Sequence, residues 1–262
     1  MDASAAVPAR SRDPLADVAV AIPVAPGDDA WRGLLDDLGT LPRETELVFA
    51  GTEPPPADAH AFLTRRLAGR PWRWLAAPRG RARQLNVAAD ATRRTYLWFL
   101  HADSRFTADT VDRMRAALHA APDALHYSDL GFLDDGPRAV RLNALAVRLR
   151  ARWLGMPFGD QGLCIAREAF ARLGRFDELA AYGEDHLFVW RARRAGVALR
   201  ATGGTLLTSA RRYRDRGWAR TTARHLWLTA RQALPEWLAL LRERRARRAR
   251  RSPSAHHPAG GA

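Results

Sequence analysis

The stretch Gly80-Arg-Ala-Arg-Gln-Leu-Asn-Val-Ala-Ala-Asp-Ala-Thr-Arg-Arg-Thr-Tyr-Leu-Trp-Phe-Leu-His-Ala-Asp-Ser-Arg105 decides how the rest of the chain is read. A Gly-Arg loop opens a helix predicted from Arg81 to about Ala91, and a polar turn over Thr92 to Thr95 follows. Then come five large apolar residues, Tyr96 to Leu100, a length that suits a strand covered on both faces and is short for a helix. His101-Ala-Asp103 stops that strand abruptly. An acid directly after such a strand sits at the carboxyl edge of the sheet, where open α/β sheets bind ligands. Asp103 is therefore a candidate metal ligand, with capping of the next turn as the plainer alternative. His101 reads more simply as a hydrogen-bonded histidine than as a second ligand.

Working outward, Val18 to Val24 is a buried strand closed by Pro23, and Asp28 or Asp29 is placed to cap a helix from Ala30 to Leu38. Glu46 to Ala50 is a second strand, Ala57 to Leu67 a helix, and Trp72 to Ala76 a third strand. On the other side, Thr107 or Asp109 starts a helix reaching Ala121, and Ala124 to Leu133 is a further strand. This alternation predicts an α/β fold: a mostly parallel sheet flanked by helices and joined by right-handed crossovers. Beyond it come a basic helix (Val140 to Leu154), the Gly-flanked pair Asp160-Gln161, a short strand through Cys164 and a helix from Arg167 to Leu173. Glu184-Asp185 opens another helix, where two carboxylates serve either chemistry or the helix dipole. Short strands are expected near Ala198 and Leu206. Cys164, Trp72, Trp74 and Trp98 read as packing residues.

The 262 residues suffice for one large α/β domain with an appendage. The net charge of +14 is uneven: residues 211–251 hold 14 Arg against Asp215, Glu236 and Glu243, a net +11, which leaves +3 for the first 210 residues. Such asymmetry points to an anionic partner for the C-terminal segment. A lone cysteine, Cys164, excludes an internal disulfide. No apolar run approaches the roughly 20 residues that span a bilayer, and no signal peptide is legible, so a cytoplasmic protein is expected. Residues 1–16 and 252–262 read as disordered tails around a body (17–210) and a basic helical extension (211–251).

The ordered motifs resemble family-2 glycosyltransferases of the GT-A fold. Within them they match a bacterial subgroup marked by Gly80-Arg-Ala-Arg-Gln-Leu-Asn86, His101-Ala-Asp103 and Gly159-Asp-Gln-Gly162, followed by Glu184-Asp185 and Arg211-Arg-Tyr213. The resemblance implies a nucleotide-diphospho-sugar donor, a divalent metal (Mg²⁺ or Mn²⁺) on Asp103, and inverting transfer to an acceptor hydroxyl. By the same resemblance Asp185 is the catalytic base and Glu184 orients it. Pro23, Arg81, Gln84 and Asn86 would lie along the nucleotide, Asp160 and Gln161 would contact donor or acceptor, and Arg211 or Arg212 would clamp phosphate oxygens.

Two turns depart from the family pattern. The family's Asn-Glu pair after the first strand is here Ala25-Pro-Gly-Asp28, and its acidic nucleoside-gripping turn is Ala50-Gly-Thr-Glu53. These departures keep open a catalytically silent binding or scaffold protein; a nucleotidyltransferase on the same fold is a second rival, although no Gly-rich, Lys-bearing loop lies near the first strand. The C-terminal segment has three readings. Trp and Leu beside an Arg cluster suit the interface of an anionic membrane, where a lipid-linked acceptor would be met. A helix packed on the body with a solvated tail is the second, and nonspecific nucleic-acid binding the third; no specific nucleic acid is expected.

Overall fold

The computed structural model describes residues 13–67 and 69–251. Both expected tails therefore lie largely outside the described residues. Their inner edge does not: Asp13 accepts from the Leu15 amide and starts a 3₁₀ turn over Pro14–Asp17, burying Leu15 completely. Residues 13–16 thus belong to the body, because an apolar side chain three residues before a core strand finds cover there.

Among the described residues seven strands form one sheet. In chain order they are β1 (Val18–Val24), β2 (Glu46–Gly51), β3 (Trp72–Ala76), β4 (Tyr96–Phe99), β5 (Leu125–Phe132), β6 (Cys164–Ala166) and β7 (Leu199–Thr208). Across the sheet they lie β3-β2-β1-β4-β6-β5-β7. β3, β2, β1 and β4 are mutually parallel, as are β5 and β7; β6 runs antiparallel between the two groups. The expected pair of short strands near Ala198 and Leu206 is in fact the single strand β7. It stays paired with β5 through a register shift opposite Tyr127 and Asp129, where the adjacent Gly203 and Gly204 disguise the strand in the sequence.

Alternation along β1 separates the two faces. Val18, Val20, Ile22 and Val24 join one core with Trp31, Leu34 and Leu38 of α1 (Trp31–Leu38), Leu63 of α2 (Ala59–Leu67) and Met114 of α4 (Ala108–Ala120). Ala19 and Ala21 face the other way, onto Ala82, Leu85, Ala88 and Ala89 of α3 (Arg81–Asp90). Small residues on both partners let α3 lie close to the sheet, so its first turn reaches the sheet's carboxyl edge. α1 is not capped in the expected manner: Asp28 accepts from the Ala30 amide one residue outside the helix, and Asp29 pairs with Arg32. Pro23 lies within β1 rather than closing it. It falls past the last β1–β4 pair, Ala21 with Phe99, so its missing N–H costs that ladder nothing.

The second half supplies α5 (Val140–Trp153), α6 (Arg167–Arg172), α7 (Glu184–Arg194), α8 (Arg211–Arg216) and α9 (Trp218–Arg251). α9 continues through Pro235, which interrupts the apolar pattern without ending the helix. Its inward face is polar and specific. Trp218 donates to Asn143 of α5 at 2.6 Å, and Asn143 donates to Thr222 at 3.0 Å. Further along, Glu236 and Glu243 pair with Arg194 of α7, and Leu240 packs with Met156 and Trp190. Among the described residues no helix is long and apolar enough to cross a membrane.

Candidate active site

β4 carries its ladder one residue past its end through Leu100, whose amide donates to Ala21, and then delivers His101-Ala-Asp103 to the sheet's edge. The following residues are pinned. Arg105 makes two bonds to Asp37, at 2.6 and 3.1 Å, the Phe106 amide donates to the same carboxylate, and Arg105 bridges to Leu207 of β7. Asp103 is half-buried and accepts from Thr208, the last residue of β7, at 3.3 Å.

Arg81, in the first turn of α3, draws three motifs together. Its guanidinium donates through Nε to Glu184, lies 3.3 Å from Asp185 through Nη2, and donates through Nη1 to His101 Nε2 at 3.0 Å. A guanidinium offers only donors, so His101 Nε2 is the bare acceptor and Nδ1 carries the ring proton. Burial and then the Arg81 charge push His101 down to about 4, and the imidazole is neutral near pH 7.

Asp185 is nine-tenths buried or more, which alone would raise its pKa. The Arg81 charge and donation from the Gly159 and His186 amides outweigh that, holding the carboxyl below its usual range. Glycine at 159 is required for this approach: a Cβ there would lie 2.6 Å from Asp185 Oδ2. Gly183, which precedes α7, has φ of 62° and leaves no room for a Cβ beside Gln232 Oε1. Asp160 sits opposite. Burial pushes its carboxyl up to about 6, Asp185 and Asp103 add to the rise, and Arg150 and Arg81 oppose it. Its Oδ1 is buried and meets no hydrogen-bond partner among the described residues.

Other expected ligand contacts point inward. Gln84 is buried and donates to the carbonyls of Val24 and Ala50, tying the ends of β1 and β2. Asn86 is committed to the Phe176 backbone and to Glu178. Gln161, fully buried, donates to Ser128 and accepts from Phe158 and Arg150. These three amides shape the site as positioning residues. Arg212 is exposed, and its charge reaches His101; Arg211 is held by Ser209 and Asp135. Pro23, paired with Ala50, stands where Gln84 ties the strand ends.

The turns after β1 and β2, which the resemblance assigns to the nucleoside, are built from aromatic packing. Trp74 stacks on Phe49 at 5.6 Å, meets Trp31 edge-on, and lies so near Gly51 that a Cβ there would touch its Nε1 at 2.8 Å. A cavity of about 350 Å³ lined by Pro55, His60, Leu63, Trp72 and Trp74 opens on this flank and touches none of the acids.

With this geometry in place, comparison with solved structures decides the fold. The fold is that of the glycosyltransferases. The mannosyltransferase PcManGT from Pyrobaculum calidifontis, in complex with GDP-Man and Mn²⁺, aligns with a TM-score of 0.62 and 17% identity, over 87% of this chain and 68% of that one. TarS 1–349 from S. aureus, in complex with UDP-GlcNAc, aligns at 0.55 and 14% identity over 73% of this chain; the alignment spans only 58% of the TarS fragment. No protein-family model matches the chain, and no curated protein matches it in sequence.

Several residues that build the site were missed by sequence reasoning. Arg150 of α5 lies 3.5 Å from the centre of the Phe158 ring and bonds to Gln161 and Met156, bracing the Gly159–Gly162 turn. His186 is the centre of a neutral chain. Trp190, a pure donor, bonds to its Nε2 at 2.7 Å; Nδ1 therefore donates to Gln232 of α9, whose amide donates to Tyr182. The signal for His186 lay in its place directly after the acid pair. Nothing local marked Asp37 or Gln232, whose partners are distant in sequence, and Arg150 was one arginine among several on a basic helix.

Proposed function

We propose that the protein transfers a sugar from a nucleotide-diphospho-sugar to an acceptor hydroxyl, with Asp185 as the base. The observation that carries this reading is the Arg81 hub. On a glycosyltransferase fold it holds Asp185, Glu184 and His101 together at the sheet edge that also presents Asp103. In the structure Arg81 neutralises Asp185 and keeps it a weak base. A diphosphate entering this edge offers Arg81 a second anionic partner. As the guanidinium turns to it, the Asp185 carboxyl rises toward its ordinary value and gains the basicity to take the acceptor proton. Glu184 keeps Arg81 within reach of both partners. Attack by the freed hydroxyl oxygen on the anomeric carbon, opposite the departing diphosphate, inverts that centre.

A divalent metal fits the residues present. Among the described residues no three His, Cys, Asp or Glu side chains gather as a metal cage. Mg²⁺-type ions are commonly held by one or two carboxylates together with substrate phosphates, which Asp103 can provide, with Asp160 and its unpartnered oxygen nearby. Bound there, the ion supplies Lewis-acid neutralisation of the charge developing on the leaving diphosphate. The presence of Mn²⁺ with GDP-Man in PcManGT supports this assignment.

The test is calorimetric titration of nucleoside diphosphates and nucleotide-sugars, with and without Mn²⁺, on the wild type and on Asp103→Ala. Metal-dependent binding that disappears in the variant is expected. Failure of the wild type to bind any of them would overturn the reading in favour of a silent scaffold, to which the Trp74-packed nucleoside turn would then belong.

A further inference from the structure

We propose that the outward faces of α5 and α9 together form a docking surface for an anionic phospholipid bilayer. This stands independently of sugar transfer. On α5, Leu142, Leu145, Leu149 and Trp153 recur at helical spacing and are turned to solvent; Leu142 is 62% and Trp153 81% exposed. On α9, Leu226, Trp227, Leu234, Trp237 and Leu238 form a second exposed stripe, with Leu226 at 63%. The two helices are joined at two points. Asn143 ties their beginnings through Trp218 and Thr222, and Met156, just after α5, packs on Leu240 of α9. Two apolar faces that hold separate places in the sequence are thus neighbours in the fold.

The charge around the stripes chooses the occupant. α5 has no acid; Arg141 stands exposed, Arg148 and Arg152 flank the stripe while paired with Asp129, and Arg150 is turned inward to the site. On α9 the acids Glu236 and Glu243 are turned inward to Arg194, while Arg220, Arg224, Arg231 and Arg242 stand exposed. A second copy of this chain would bring like charges face to face. A nucleic acid would satisfy the arginines and leave the leucines and tryptophans in water. An anionic bilayer satisfies both, with headgroups for the guanidinium groups and the acyl boundary for Leu and Trp. α9, 34 residues long, would lie along the surface for about 50 Å rather than cross it. The bracing of the Gly159–Gly162 turn by Arg150 places the acid site on the inner side of α5. An acceptor carried in the membrane would approach from that flank.

The experiment is co-sedimentation of the full chain with vesicles of phosphatidylcholine alone or with roughly one-third phosphatidylglycerol. Runs at about 0.1 and about 0.5 M salt separate screened from unscreened binding. Binding to the anionic vesicles that survives in part at the higher salt is expected. The pairs Leu145→Glu/Leu149→Glu and Leu226→Glu/Leu238→Glu should each lower partition at least about tenfold with unchanged circular dichroism. Brominated acyl chains should quench the tryptophan fluorescence of the wild type, a readout that needs no variant. Absence of quenching overturns the proposal. So does binding indifferent to the Leu→Glu pairs, or a lipid-free dimer that those pairs convert to monomer.

Discussion

The two ends of one sheet edge are held together by different physics. Where β4, β6 and α7 meet, directional bonds set the geometry: Arg81 reaches three partners, Asp185 takes two backbone amides, and Gly159 leaves no space for a methyl group. Where β1, β2 and β3 end, ring faces set it, with Trp74 between Phe49 and Trp31. A buried carboxylate stays charged only if donors are aimed at it, so the first end has few substitutes for any of its members. A stacked aromatic cluster tolerates exchange between rings of similar shape. The acid end should therefore fail sharply under conservative changes, and the nucleoside end should give way gradually.

The sharpest break is Asp185→Asn. The amide keeps the volume and still accepts from Gly159, but it cannot take a proton. Transfer activity should fall about 10²–10⁴-fold while nucleotide-sugar affinity stays within about threefold, measured by product formation beside calorimetry. Equal losses in binding and turnover would show that Asp185 holds the donor instead, and the contrast between the two ends would lose its chemical meaning.

A subtler break uses pH, because His101 and Asp160 titrate with opposite consequences. His101, ordinarily at 6.5, is held near 4 in the fold. The unfolded chain therefore binds the extra proton first, and stability falls as pH drops from about 6.5 to about 4. Asp160, ordinarily at 3.8, is raised to about 6. Here the folded chain binds the extra proton, and stability falls as pH rises between those values. In the wild type the two slopes oppose each other between about pH 4 and 6. Denaturant melts should show His101→Gln losing stability as pH rises across this window, and Asp160→Asn losing it as pH falls, each by on the order of 1–3 kcal/mol. Parallel profiles in the two variants would mean that neither group is buried as the structure has it.

Much of this was legible in the sequence because it was periodic or abrupt. Five apolar residues followed by His-Ala-Asp announce a strand end, and the Gly-Arg loop at Gly80 announces the helix that follows it. β7 was divided by its own glycines, since Gly203-Gly204 carries no side-chain pattern across the register shift. Polar side chains were the least legible. The resemblance assigns Gln84, Asn86 and Gln161 to ligand contacts, and each also bonds to backbone groups brought close only by the fold. A sequence shows that a donor exists and where its chain neighbours are. It does not show which distant carbonyl needs one.

The smallest expected effects compare the two ends most directly. Gln232→Ala removes the acceptor of His186 Nδ1 and the donor to Tyr182, at 2.8 and 3.0 Å, beneath the helix turn that carries Asp185. It leaves one partly buried ring N–H without its partner, and a melt should record a loss of about 1–2 kcal/mol. Trp74→Phe keeps the ring against Phe49 and gives up only a 3.4 Å bond to the Glu53 carbonyl. The lost indole ring area should cost about 1 kcal/mol or less if Trp31 and Phe62 close on the smaller ring. A Trp74→Phe loss well above that of Gln232→Ala would mean that the nucleoside end is a rigid stack after all. The space beside Gly51 would then be set by Trp74 as strictly as the space beside Gly159 is set by Asp185.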